Sequence, residues 1–164
     1  MKVGFIGLGV MGAPMAGHLL AAGHELAVWA RRPEATAALA ARGAHVSATP
    51  AALAARCEVV FSIVTSSADV EALAFGQEGL AAGFASGAVH VDMSTIAPAV
   101  ARELAARYAA RGIGWLDAPV SGGEQGARDA TLAIMAGERS WAMMSMRQPM
   151  IFMRSSSCSM MARV

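Results

Sequence analysis

The stretch from Phe5 to Met15 reads FIGLGVMGAPM and carries glycines at Gly7, Gly9 and Gly12 in the spacing G-x-G-x-x-G. Each glycine of such a turn has its own task. The first permits a tight turn off a strand, the second admits phosphates where a Cβ would stand, and the third lets the following helix pack on the sheet. The flanks agree with that reading: residues 2–6 are a short apolar run of strand formers, and residues 11–22 are uncharged and helix-compatible, with Gly23 placed to end them. Strand, glycine turn and helix in this order aim helix N–H groups and the positive end of a dipole at an anion. Residues 3–23 also lack Asp, Glu, Lys and Arg, as a signal peptide or membrane span does; six glycines, a proline and the polar turn at His24 and Glu25 speak against both.

Outward from this unit, strands and helices alternate. Residues 25–29 are a strand candidate, 33–42 a helix opened by Pro33 and stopped by Gly43, and Thr49 with Pro50 caps a helix to about residue 56. Residues 58–64 form a β-branched strand; Ser66 with Asp69 starts a helix to about Phe75 as a capping-box variant. Residues 88–92 and 114–118 are further strands around a helix at 98–111, and 132–136 is a last strand. This alternation predicts parallel βαβ units in a doubly wound α/β sheet of the Rossmann type, with the ligand beyond the carboxyl ends of the strands.

Composition narrows the function classes. The 164 residues suit one domain, and the two cysteines, Cys57 and Cys158, have no metal or redox spacing, so no metal site is expected and a reducing cytoplasm is. A net charge of +1 without a basic stripe, and few aromatic residues, argue against nucleic acid as a partner. The positive hydropathy comes largely from alanine, so buried helices explain it and no membrane is invoked.

An acidic residue about 20 residues after the glycines would hold the 2'-hydroxyl of NAD. Here the second strand ends in Ala30, Arg31 and Arg32. Two guanidiniums suit a 2'-phosphate, so NADP(H) is the expected cofactor, with NAD(H) as the alternative and surface placement of one arginine left open. Val64, Thr65 and Ser66 follow one strand and Ser94 and Thr95 another; these hydroxyls serve either as helix caps or as contacts beneath the cofactor.

Four segments together resemble the β-hydroxyacid dehydrogenases: VGFIGLGVMGAPMAGHL, VEALAFGQEGLAAG, VDMSTIAP and LDAPVSGGEQGARDATLAIMAG. The last is the most specific, and its DAPVSGGE, GAR and TLAIM look closest to the tartronate semialdehyde reductase branch beside 3-hydroxyisobutyrate dehydrogenase. Imine reductases and 6-phosphogluconate dehydrogenase share the N-terminal architecture, though the DAPVSGGE loop favours a small carboxylate over an imine. The resemblance implies reversible hydride transfer between a nicotinamide cofactor and a small hydroxy acid or its semialdehyde. It assigns Gly7, Leu8, Gly9, Val10, Met11 and Gly12 to the pyrophosphate loop, Val64 and Thr65 to the turn beside the cofactor, and Thr95 to the nicotinamide. Ser121, Gly122 and Gly123 fall where the family holds the substrate carboxylate, and glycine N–H groups with a serine hydroxyl make a reasonable anion nest. Ala30 and His18 stand where the family commonly has Asn, and Ala97 where it has a capping residue; each loss costs at most about 1–2 kcal/mol.

The resemblance runs from Met1 to about Gly137. Residues 138–164 hold seven of the twelve methionines without helical or strand period, so the expected division is a dinucleotide-binding domain at 1–137 and a foreign tail at 138–164, as a reading-frame shift would produce. The family's catalytic lysine, on a helix after the first domain, has no counterpart. The one lysine, Lys2, starts the first strand. No catalytic residue is therefore expected in this chain, nor the family's all-helical C-terminal domain, nor the dimer that domain builds; a dinucleotide-binding module without catalysis is the alternative function.

Overall fold

The computed structural model of the chain describes residues 1–136. The boundary at 137 and the foreign tail lie outside the described residues. The first strand, β1 (Lys2–Ile6), is buried on both faces. Its side chains alternate between two core clusters: Val3 and Phe5 pack with Met15 and Leu19, whereas Ile6 faces Leu53, Val60 and Leu80. A strand covered on both faces belongs in the middle of a parallel sheet.

From β1 the chain passes through α1 (Gly12–Ala21) to β2 (Glu25–Trp29), a 3-10 turn at Pro33–Thr36, α2 (Ala37–Ala40) and the edge strand β3 (His45–Val46). It then returns through α3 (Pro50–Ala54) to β4 (Val59–Ser62) on the other side of β1, and continues through α4 (Ser67–Phe75) and α5 (Leu80–Gly83) to β5 (Val89–Asp92). Helix α6 (Pro98–Ala109) leads to β6 (Gly114–Asp117). The sheet order is β3-β2-β1-β4-β5-β6, with every neighbouring pair parallel. This is the expected doubly wound Rossmann sheet, and its direction of travel reverses between β1 and β4. A crevice opens there beyond the strand ends.

Local chemistry sets the boundaries. Thr49 Oγ1 accepts the Ala52 N–H at 3.1 Å and Ser66 Oγ accepts the Asp69 N–H at 3.2 Å, so both anticipated N-caps are made. The helix expected at 33–42 is instead a 3-10 turn followed by one turn of α2. The Thr36 hydroxyl donates to the Pro33 carbonyl at 2.7 Å, a local bond that competes with helix growth, and within α2 only Leu39 is buried. The strand expected at 132–136 is shorter and lies apart from the main sheet: β7 (Val120–Ser121), α7 (Gly123–Arg128) and β8 (Ala133–Ile134) follow β6, and β8 pairs antiparallel with β7. His18 fastens this appendage, its Nε2 lying 3.0 Å from the carbonyl oxygens of both Ala127 and Arg128. Among the described residues no helix is long and apolar enough to cross a membrane, and no cluster of His, Cys, Asp and Glu is set to hold a metal.

Candidate functional site

The glycine turn between β1 and α1 shows three different environments. Gly7 has φ 95°, and a Cβ there would overlap the Ile63 carbonyl; a Cβ on Gly12 would overlap the Gly7 carbonyl oxygen. Gly9 faces open space, with nothing within 4 Å of where its Cβ would be. Two glycines are thus required by the chain itself and the middle one is not, leaving a cradle that a Cβ would partly fill. The helix behind it, α1, has Met11 at its N-cap position, with no side-chain cap and no acidic residue in its first turn. Of its leading N–H groups, that of Ala13 is taken by the Gly9 carbonyl at 3.0 Å and Pro14 has none, so those of Met11 and Gly12 are left for an external anion.

Two cavities flank this turn and share Val64 as a wall. One, of about 250 Å³, is lined by Met11, Val64 and Thr65, Ser94 and Thr95, and Val120. The other, of about 400 Å³, lies against Trp29 and Arg31 from the β2 end, Thr49 and Pro50, and Val64 and Asp69. Met11, Val64, Thr65 and Thr95 thus line the smaller cavity, Arg31 and Val64 the larger, and Gly7, Gly9 and Gly12 line neither. Leu8 is buried beneath that loop while Val10 is exposed on it. Arg32 is exposed and lines neither cavity; its carbonyl oxygen caps the 3-10 turn by accepting the Ala35 N–H at 3.0 Å. Ser121, Gly122 and Gly123 are exposed immediately after Val120, with φ of 133° at Gly122 and 62° at Gly123. They adjoin the smaller cavity without lining it.

Reading the β2 end alone misses a carboxylate that arrives from α4. The Arg31 guanidinium donates to Asp69 Oδ1 at 2.6 Å, and the Ser66 hydroxyl donates to Asp69 Oδ2 at 2.8 Å. These bonds, the one from Arg31 first, hold the Asp69 carboxyl below the usual carboxylate range.

A second unanticipated feature is a chain of hydrogen bonds inside the sheet. The Ser62 hydroxyl donates to Asp92 Oδ1 at 2.6 Å and the Ser94 hydroxyl donates to the same oxygen at 2.8 Å. Ser62 Oγ must then accept from His90 Nε2–H at 2.8 Å, which makes His90 Nδ1 the acceptor for the Tyr108 hydroxyl at 2.9 Å. Burial drives the His90 imidazole down to about 3, in keeping with this neutral tautomer. Burial also raises Asp92, partly opposed by the two serine hydroxyls, and its Oδ2 has no partner. At the outer end, Ser94 Oγ accepts the Val64 N–H at 2.9 Å, so the turn shared by both cavities is anchored to the buried chain. The only sequence signal for it was two polar residues, His90 and Asp92, in a strand buried on both faces.

An open cradle, an uncapped helix and two cavities on either side of one turn match a dinucleotide bent over a pyrophosphate. The sequence profile of the NAD binding domain of 6-phosphogluconate dehydrogenase matches residues 2–162. The chain belongs to this family. Among relatives of this NAD-binding domain, 3-hydroxyisobutyrate dehydrogenase of Pseudomonas aeruginosa is 43% identical over 135 residues, covering 82% of the chain and 45% of that enzyme. The 2-hydroxy-3-oxopropionate reductase of Escherichia coli is 42% identical over 137 residues, covering 84% and 47%. The solved structure of Psf3 in complex with NADP+ and 2-OPP superposes with a TM-score of 0.77 at 34% identity, covering 85% of the chain and 50% of Psf3. The chain thus spans half or less of the length of the relatives it matches.

Proposed function

We propose that the chain is the cofactor-binding half of a β-hydroxyacid dehydrogenase that takes NADP(H) ahead of NAD(H) and acts on a small carboxylate such as tartronate semialdehyde. The observation that carries this reading is the open space at Gly9 over the uncapped start of α1. The loop Gly7 to Gly12 would hold the pyrophosphate, the cavity beside Arg31 the adenosine, and the cavity at Val64, Thr65 and Thr95 the nicotinamide. Arg31 and Arg32 give the β2 end its preference for a 2'-phosphate, and Ser121, Gly122 and Gly123 offer hydroxyl and N–H donors to the substrate carboxylate. When bound, the nicotinamide supplies the hydride acceptor or donor.

The chain's own residues bind and orient, but among the described residues none is placed to move the proton that accompanies the hydride. Lys2 is exposed at the first residue of β1, roughly 13 Å along the strand from the glycine turn. Losing a general acid lowers rates by about 10² to 10⁴. The proposed state is therefore a binding-competent chain without turnover by itself, with residues 138–164 arising from a frame shift and a cytoplasmic location. Titration with NADPH and NADH, followed by an assay with tartronate semialdehyde, tests it. Binding without turnover is the expected result; absence of binding to either cofactor refutes the cofactor assignment, and turnover by the chain alone refutes the missing acid. Reading both alternative frames downstream of the Gly137 codon tests the frame shift, which falls if neither restores a glycine- and lysine-bearing helix.

A further inference from the structure

The Arg31–Asp69 pair lies at the cavity assigned to the adenosine, and this geometry bears on which cofactor enters. Both side chains line the cavity, and the carboxylate is held from two sides, by the Arg31 guanidinium at 2.6 Å and by the Ser66 hydroxyl at 2.8 Å. Asp69 sits in the first turn of α4, whose backbone is itself fixed by the Ser66 cap, so the carboxylate cannot swing away without giving up both partners. Arg31 is the movable member, its side chain 79% exposed.

We propose that Asp69 is a specificity-determining residue that restrains Arg31 and disfavours the 2'-phosphate of NADP(H) relative to the 2'-hydroxyl of NAD(H). The inference rests on the reading of this cavity as the adenosine site. A 2'-phosphate bears close to two negative charges and competes for the Arg31 guanidinium, one N–H of which Asp69 already holds. It must either displace the carboxylate or share the guanidinium with it at close range, and like charges across one guanidinium repel. A 2'-hydroxyl meets no such conflict. The Arg31 N–H groups that Asp69 leaves free, with Arg32 next in the chain and without an ion pair among the described residues, keep NADP(H) ahead despite this restraint.

The test compares dissociation constants for NADPH and NADH, read by nicotinamide fluorescence on the full chain. The wild type is measured against Asp69→Asn, Arg31→Ala and the double variant, with Glu78→Gln as a charge control. Glu78 lines the same cavity but makes no ion pair among the described residues. The Ser66 cap uses the Asp69 backbone N–H, so Asp69→Asn keeps the helix start. In Asp69→Asn the preference for NADPH over NADH is expected to rise about 10-fold through tighter NADPH binding, and the rise should vanish in the Arg31→Ala background. Glu78→Gln should move the ratio by less than about 3-fold. An unchanged ratio, a shift toward NADH, an equal effect of Glu78→Gln, or a rise that persists without Arg31 overturns the proposal while leaving the cofactor site standing. A wild type that binds neither cofactor overturns both.

Discussion

The three glycines of the first turn separate folding from binding at the scale of single residues. At Gly7 and Gly12 an added Cβ runs into backbone carbonyl oxygens, and at Gly7 the positive φ adds strain, so Gly7→Ala should lower stability by about 1–3 kcal/mol or more in a denaturant titration. Gly9→Ala meets no protein atom, so its unfolding curve should stay within about 0.5 kcal/mol of wild type while NADPH affinity falls at least about 10-fold. A stable Gly9→Ala protein with wild-type affinity would show that the cradle is not where phosphates sit. His90 supplies a pH-dependent counterpart. It is neutral in the fold, pushed from its ordinary 6.5 down to about 3 by burial, whereas the unfolded chain protonates it below 6.5. The unfolded state then binds more protons, so stability falls as pH drops from 6.5 toward 3. Asp92, raised by burial, acts with the opposite sign above its ordinary 3.8, but that contribution is common to wild type and His90→Gln and cancels in their difference. From about pH 6 to about pH 4.5, wild type should lose about 1.4 kcal/mol per pH unit relative to His90→Gln. A pH-independent difference in urea midpoints would contradict a neutral buried His90.

Elements divide by whether their own residues or their neighbours define them. Thr49 caps α3 through one side-chain bond, and Thr49→Ala should cost about 1 kcal/mol in chemical denaturation; a change within about 0.3 kcal/mol would mean that the cap is replaced by solvent. The same logic explains what the sequence made legible. β1, β2, β4, β5, β6 and the helices α1, α4 and α6 carry their own signals: apolar runs, a proline at the start, a glycine or serine at an end. The short pieces do not. β3 is two exposed residues recruited by Ala27 and Val28 of β2, α2 is one turn held by Leu39, and β8 exists because α7 folds back to lay it against β7. At the site, the glycine turn was legible because its chemistry is local. The Arg31–Asp69 pair joins residues 38 positions apart, and the Ser62–Asp92 bond joins residues 30 apart, so neither leaves a periodic trace. Asp69 was legible as a capping-box residue, and that is only half of what its carboxylate does.

For the molecule as a whole, the sheet order brings the turns after β1, β2, β4 and β5 to one end, where the proposed cofactor site lies. Those turns are not independent. Val64 walls both cavities, its N–H is held by Ser94, and Ser94 is held by Asp92 in the sheet interior, so the binding surface is tied to the core. A ligand that binds only this assembled arrangement must stabilise the entire sheet, because the turns cannot open singly without breaking the buried chain. With NADPH at about 100 times its dissociation constant, the gain is about 2.7 kcal/mol, or roughly 5–10 °C in melting temperature for a domain of this size. Hydrogen exchange should report the same linkage: amides of the glycine loop, the Val64 turn and the Thr95 turn should gain protection together on adding NADPH. Ser94→Ala, which leaves the Val64 N–H without its acceptor, should uncouple them, so that the glycine loop still gains protection while the Val64 turn gains less. Equal protection of all three turns in Ser94→Ala would mean that the nucleotide alone, rather than the buried chain, holds the site together.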